Sequence, residues 1–443
     1  MERPVRAVPR TGHVPGRGRD RLVAVVGPAG MSNPPPPRTT GTGVTSPTST
    51  SQGAWVLQAG EGPIVGPYLP ATPETVSWGW VRGGGAIPAL TVDPGTVLTV
   101  DTISHEGILD DQGRDPLRYF AGYGVAPDAV LGDAVALASA NVPHDQERDG
   151  PHVVSGPIHV RGALPGDVVT VEILDLLLRV PYGIVSNRHG RGALPGELPA
   201  RGEQGSTPAV VSRFATVRTS DGPPVAWLHG PDVSLPLPLR PFLGLVAVAP
   251  AGPAAHSVPP GPHGGNLDVR LLGRGSRLHL PVQVPGALVQ VGDPHFAQGD
   301  GEVAGTALEA PLRAVIRVDL LPGAAPASGL PYGETPDAWV VLGLHEDLDE
   351  AVRIATRCAL DVVERVTGAD RATAFAWLSA VGDVGVSQVV DGAKGAHLAI
   401  PKDWLARAVR SGSPPPGAHP SARDAPPATP DPASGTVPPG ARP

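Results

Sequence analysis

The side chains best suited to chemistry fall close together, between residues 256 and 309. One group is His263-Gly-Gly-Asn266-Leu-Asp268, and the other is Gly292-Asp293-Pro-His295-Phe-Ala-Gln298-Gly-Asp300-Gly-Glu302. Imidazole and carboxylate are ligands of the zinc type, and a catalytic zinc commonly takes three protein ligands and keeps a position open for water. His263, Asp268 and His295 are the candidate ligands. Glu302 and Asp300 are candidates for the base that takes a proton from an attacking water, and Asn266 and Gln298 for contacts to substrate. Taken singly, each could instead satisfy a Gly-rich turn or bond to backbone. Gly beside them lets the backbone come close to a ligand or metal.

A second polar group runs from His105-Glu106 through Asp133 and His144 to Asp149-Gly-Pro-His152. His105 is the strongest of these, because it directly follows a strand expected at Thr96 to Thr102 and can project from its end. The stretch His144 to His152 reads equally as a loop over a pocket or as a solvated surface loop. Lys394, in Asp391-Gly-Ala-Lys394-Gly-Ala-His397, shares with Lys402 the distinction of being Lys in a chain whose 34 basic residues are otherwise Arg; a surface turn is the alternative. Nucleophiles are scarce. There is no GxSxG elbow, and Cys358 lies inside an expected helix, where Cys usually packs inertly. An activated water is therefore the expected attacking group.

The elements that must carry these residues read as mainly β. Short β-branched segments such as Thr96 to Thr102, Pro157 to Val160 and Val168 to Leu176 are bounded by Pro-Gly turns, Leu164-Pro-Gly-Asp167 among them. Arg277 to Val284 alternates apolar and polar residues, which predicts a half-buried strand; the two ends of a hairpin built on it would bring the His/Asp/Glu groups together. After Asp337 the pattern changes. An apolar run, Ala338 to Leu344, precedes a helix whose first turn is acidic and which stops at Gly368, then a second helix from Asp370 to Ala380 and a strand near Val386 to Val390.

The expected fold is thus a β-sandwich or barrel-like body with a smaller α/β element near the C-terminus. The boundaries are a disordered segment over residues 1–52, a β-rich catalytic body over 53–325, an α/β element packed on it over 326–410, and a disordered tail over 411–443. The two ends are rich in Pro, Gly, Ser and Thr and too poor in apolar surface to order. Met31 could equally be the start of translation.

Composition narrows the function classes. One Cys excludes an intramolecular disulfide framework and a Cys-rich zinc site, and fits a reducing, cytoplasmic compartment. No apolar run approaches the ~20 residues of a spanning helix, and no signal peptide is evident. With a net charge of -8 and no basic stripe interleaved with aromatics, neither nucleic acid nor membrane is an expected partner.

On these residues the sequence resembles the acetamidase/formamidase family. The match is carried by His263-Gly-Gly-Asn-Leu-Asp268, by Leu280-Pro-Val-Gln-Val-Pro-Gly-Ala287 and by Gly292 to Glu302, in order and spacing. Upstream, Gly156-Pro-Ile-His-Val-Arg-Gly-Ala-Leu-Pro-Gly-Asp167 resembles a turn of the family; downstream, Gly343 to Ala351 and Val386 to Gly395 resemble its C-terminal part. The resemblance spans about residues 55 to 405. It implies hydrolysis of formamide, acetamide or a similar short linear amide to ammonia and a carboxylate by a homo-oligomeric enzyme. Two departures are visible: Ala304 stands where many members carry Cys, and Leu267 where Met is usual. The His144 to His152 loop and an insertion-like Asn187 to Gly205 could reshape the pocket. The rival readings are a hydrolase of another amide or carbamoyl substrate, and a non-catalytic β protein that binds a metal for stability.

Overall fold

Where the chain turns at Pro165-Gly166, it passes from one β-sheet to another. Gly166 takes φ 99°, and the Asp167 carboxylate accepts from the Leu164 amide at 2.9 Å, closing the turn. The strand before it, Val153–Val160, lies in an eleven-stranded sheet; the strand after it, Val168–Leu178, lies in a nine-stranded one. This is the computed structural model of the chain, and it describes residues 55–140, 142–200, 210–219 and 222–408. The segments expected to be disordered, 1–52 and 411–443, lie outside the described residues, as does Met31.

Both sheets are mixed but mostly antiparallel. The nine-stranded sheet runs Tyr68–Leu69, Thr96–Asp101, Leu312–Leu321, Val168–Leu178, Arg277–Pro281, Tyr332–Glu334, Ala338–His345, Lys394–Pro401 and Asp383–Gln388. In the other sheet, Val289–Ala297 pairs with Phe242–Ala247, Val153–Val160 and Leu308–Glu309, and Phe242–Ala247 pairs also with Gly264–Asn266. One cluster of buried side chains joins them: Leu98, Val100, Val169 and Val171 from the first, Val246, Val291 and Phe296 from the second. This is a β-sandwich core, driven by removal of apolar surface from water.

The C-terminal strands extend the nine-stranded sheet rather than forming a sheet of their own. Over them lies the helix Leu348–Thr367. Asp347 caps it by accepting from the Glu350 amide, and Gly368 ends it at φ 71°. Ala351, Ala355 and Ala359 recur at four-residue spacing on its buried face. An added Cβ at Gly343 would collide with the Ala351 carbonyl, so small residues on both sides set a close approach. Asp370 caps the next helix, Arg371–Val381.

One sequence expectation needs correction. The strand from Arg277 ends at Pro281, and its polar face is buried: His279 is covered by stacked Tyr332 and bonded to Thr170 at 2.9 Å. Two helices, Pro116–Ala121 and Gly132–Ser139, had no expectation. They cover a second apolar cluster that includes Ile103, Ile108, Phe120, Leu137 and Tyr182.

Candidate active site

The two polar groups separated in sequence meet in one place. His105, His152, Asp268, Asp293, His295, Glu302, Glu309 and Asp391 form four overlapping sets of three whose ligand atoms lie within 4.8 Å of one another. Asp293 and His295 sit on Val289–Ala297 two residues apart, hence on one face. Asp268 follows Gly264–Asn266, and Phe242–Ala247 lies between the two segments: Leu245 pairs with both Asn266 and Gly292. That shared neighbour, rather than a hairpin on Arg277–Pro281, brings them together. Glu309 comes from the short strand Leu308–Glu309, paired with His295.

Asp391 is delivered by a loop that Gln388 holds. The Gln388 amide oxygen accepts from the Val390 and Asp391 amides at 2.9 and 3.1 Å, and its nitrogen donates to the Ala393 carbonyl at 2.7 Å. His105 and Glu106 follow the strand Thr96–Asp101, and His152 precedes Val153–Val160.

Backbone geometry marks the same spot. Among the described residues six non-glycine residues take positive φ, and three of them are Asp268, Asp293 and Glu302, at 52°, 49° and 46°. Such conformations cost energy and persist where surrounding structure over-determines them, which is commonly at functional sites.

His295 Nε2 stands 2.9 Å from Asp293 and 3.1 Å from Glu309, and its Nδ1 is 3.8 Å from Asp268. His152 Nε2 is 3.8 Å from Asp293, while its Nδ1 bonds to the Ser257 hydroxyl at 2.9 Å. Burial pushes the carboxyls of Asp268 and Glu302 well above the usual range, and neighbouring carboxylates push them further. Burial likewise lifts Asp391, to about 7. Asp293 goes the other way: burial opposes its charge, but the His295, His152 and His105 rings hold it below the usual range. Burial lowers His152 to about 4. Glu106, against the effect of burial, is held at about 2 by His105, Arg188 and Ser186.

Five carboxylates against three imidazoles leave excess negative charge in a buried place. Such a cluster must take up protons or a cation. The hydrogen-bond inventory favours a cation. Both oxygens of Asp268, Asp293 Oδ1, Glu309 Oε2, His295 Nδ1 and both nitrogens of His105 are buried without a hydrogen bond. Buried polar atoms rarely go unpaired, and these converge. The residues therefore fit a divalent ion.

A cavity of about 270 Å³ opens over the cluster. His105, His152, Asp293, Glu302, Glu309 and Asp391 line it, and Asn266 joins them; Asp268 and His295 are fully buried. Asn266 donates to Asp391 at 3.1 Å and leaves its oxygen unpartnered.

Of the residues singled out from sequence, His105, Asp268, His295 and Glu302 meet, with Asn266 beside them and His144, Asp149 and His152 on the cavity lining. Asp300, Lys394, Gln298 and His263 stand apart. Asp300 is 34% exposed and clasped by Arg270 at 2.7 Å, so it is placed for a surface ion pair and not for a base in the cavity. Lys394 donates to the Glu346 carbonyl, just beyond its strand partner His345, and does not line the cavity. Gln298 donates to the Asp268 and Ser387 carbonyls at 3.0 and 3.1 Å, bracing the site from behind. His263 is buried in a pocket of its own backbone beside Gly261 and Gly265, and desolvation lowers it to about 4; it joins none of the ligand sets. Cys358 packs against the helix cluster. Asp293, Glu309 and Asp391 were not candidates from sequence, and His152 stood open between a pocket loop and a surface loop. Asp293 had a signal, its two-residue spacing from His295; Glu309 had none.

The fold is thus a β-sandwich that holds a buried histidine and carboxylate cluster beneath an open cavity. A model of the acetamidase/formamidase family matches residues 231–333, which hold Asn266, Asp268, Asp293, His295, Glu302 and Glu309. The chain is 32% identical over 212 residues to an acetamidase of Mycolicibacterium smegmatis, covering 37% of this chain and 52% of that one. It is 29% identical over 204 residues to a formamidase of Methylophilus methylotrophus, covering 37% and 50%. The chain thus spans about half the length of the curated relatives it matches. The solved structure of an acetamidase from Yersinia enterocolitica is similar at a TM-score of 0.60 and 26% identity, over 79% of this chain and 96% of that one. The resemblance to the acetamidase/formamidase family is present both in this central sequence and in the fold.

Proposed function

We propose that the protein hydrolyses the C–N bond of a short linear amide, of the formamide or acetamide class, to ammonia and a carboxylate. The observation that carries this reading is the convergence of eight buried ionisable side chains, with orphaned ligand atoms, under an open cavity. The names of the relatives support the substrate class. A divalent ion, zinc by its mixed imidazole and carboxylate donors, fits among His105, His152 and Asp293 or among Asp268, Asp293 and His295, and would supply a Lewis acid that polarises the carbonyl and acidifies water.

The chain's own residues supply the rest. Glu302 faces the cavity with a carboxyl raised by burial, so it suits accepting the proton of water and passing it to the leaving nitrogen. The free Asn266 oxygen suits an amide N–H of the substrate. Ser257 orients the His152 ring. A purely structural ion would sit in a closed site, and this one opens to a cavity. The reading extends to a homo-oligomer in the cytoplasm; among the described residues no helix is long and apolar enough to cross a membrane, and light scattering tests the subunit number.

The test is ammonia release from formamide and acetamide by purified protein, with metals quantified in the same sample and the assay repeated after chelation. Release that vanishes with the metal and returns on adding zinc is expected. Release unaffected by complete removal of metal would refute the assisted mechanism, and no release from any amide would refute the reaction.

A further inference from the structure

The cavity has room for more than the smallest amides. Its volume of about 270 Å³ exceeds the roughly 150 Å³ of a cavity that takes up benzene, so formamide or acetamide would leave part of it to solvent. What lines the remainder has a definite chemistry. Leu109, Val258 and Val390 supply apolar wall, and Arg191 supplies a charge.

The charged groups lining the cavity outside the buried cluster are otherwise engaged. Arg188 is held by Asp111 at 2.6 Å and Glu106 at 3.4 Å. Asp149 accepts from the Trp80 indole at 3.1 Å and the Asp145 amide at 2.8 Å. Among the described residues, no carboxylate lies within ion-pair distance of Arg191. Its charge nonetheless reaches across the lining: the imidazole of His256 is held below its ordinary range by burial and by Arg191.

Arg191 also sits on a fastened loop. Its amide donates to the Arg188 carbonyl at 3.0 Å, and the Ala193 amide to Val303 at 2.9 Å. An added Cβ at Gly192 would lie 3.0 Å from the carbonyls of both Val303 and Ala304. The loop is therefore closed against the segment that carries Glu302, and it sets Arg191, itself exposed, on the lining of the cavity whose floor holds the ionisable cluster.

We propose that the substrate is an amide longer than acetamide whose far end carries a carboxylate, and that Arg191 selects it. This rests on the amide-hydrolase reading and specifies its substrate. Water would add its oxygen to the amide carbon as the C–N bond breaks. The nitrogen leaves as ammonia, and a monoamide of a dicarboxylic acid becomes the dicarboxylate. No other reactant is needed.

The experiment compares kcat/KM of the full chain on three primary amides of similar length: succinamate, pentanamide and 4-aminobutanamide. Succinamate should lead pentanamide by about twofold to fivefold, chiefly through KM, and the lead should shrink as salt is raised, as expected for one partly solvated ion pair. Arg191→Glu should reverse the order of succinamate and 4-aminobutanamide, an outcome that simple loosening of the loop does not produce. Equal rates for succinamate and pentanamide, or a preference that survives the charge reversal, would overturn the proposal while leaving the hydrolase intact. Exclusive turnover of formamide and acetamide would overturn it on size. Failure to release ammonia from any amide would remove the hydrolase reading and this one with it.

Discussion

Gly244 is the position at which one added carbon should disable the site. It lies between Leu243 and Leu245, whose partners across the strand pair are Pro294 and Gly292, so it faces Asp293. A Cβ built there would stand 2.5 Å from Asp268 Oδ1 and 2.8 Å from His295 Cε1, and would also strike Asp293 Oδ2. Ordinary contact begins at 3.4 Å, so in Gly244→Ala the carboxylate would have to retreat about 0.9 Å and the ring about 0.6 Å, or the strand would move instead. Overpacking of this kind costs about 1–3 kcal/mol of stability. A misplacement near 1 Å costs about 100-fold in rate, and disturbing the support of a metal ligand about 10–100-fold in affinity. The expected result is a folded protein, slightly less stable to urea, with amide hydrolysis reduced about 100-fold and weakened metal retention on dialysis. Gly85→Ala is the control, because a Cβ there meets nothing within 4 Å. Activity and metal content within twofold of the parent in Gly244→Ala would refute the placement of Asp268, Asp293 and His295 around one centre.

Three further changes separate site from scaffold. Glu302→Gln keeps shape but removes the proton acceptor, and kcat should fall by about 100-fold to 10,000-fold with metal content unchanged; steady-state kinetics beside elemental analysis checks this. Asp300→Asn breaks only the half-exposed pair with Arg270, so kcat/KM should stay within about twofold and stability within about 1 kcal/mol; a large loss of activity would restore Asp300 as a candidate base. Asp101→Ala should be the costliest for stability. That buried carboxylate accepts from Arg313 at 2.6 and 2.9 Å and from the Tyr68 hydroxyl at 2.6 Å, and removing one partner of a buried pair costs about 3–5 kcal/mol, read as a lower urea midpoint.

What the sequence disclosed, and what it withheld, follows from the range of the forces involved. Turns and caps are local. Leu164 to Asp167, Asp347 and Gly368 could be read from chemistry within four residues, and the structure has them at those places. Strand existence was legible for the same reason. Strand partnership was not, because Val168–Leu178 pairs with Leu312–Leu321 and Arg277–Pro281, more than a hundred residues away.

The site divides along the same line. Asp268, His295 and Glu302 lie in one Gly-rich region and announced themselves by density. Asp391 reaches the cluster through the Gln388 clamp and a sheet edge formed late in the chain, and nothing local distinguishes it from a turn aspartate. Attention went instead to Lys394, three residues on, because Lys is rare here; rarity in an Arg-rich chain is a statement about composition, not about where a side chain points. His152 and the stretch before it were balanced between pocket and surface. The balance is resolved by Asp293, whose one carboxylate faces both His152 and His105 and so ties the first polar group to the second. Asp293 holds that position at φ 49° while remaining within the strand Val289–Ala297. The conformation that makes the residue unusual as a strand member is shared by Asp268 and Glu302, so a search for buried carboxylates at positive φ would find this cluster from backbone geometry.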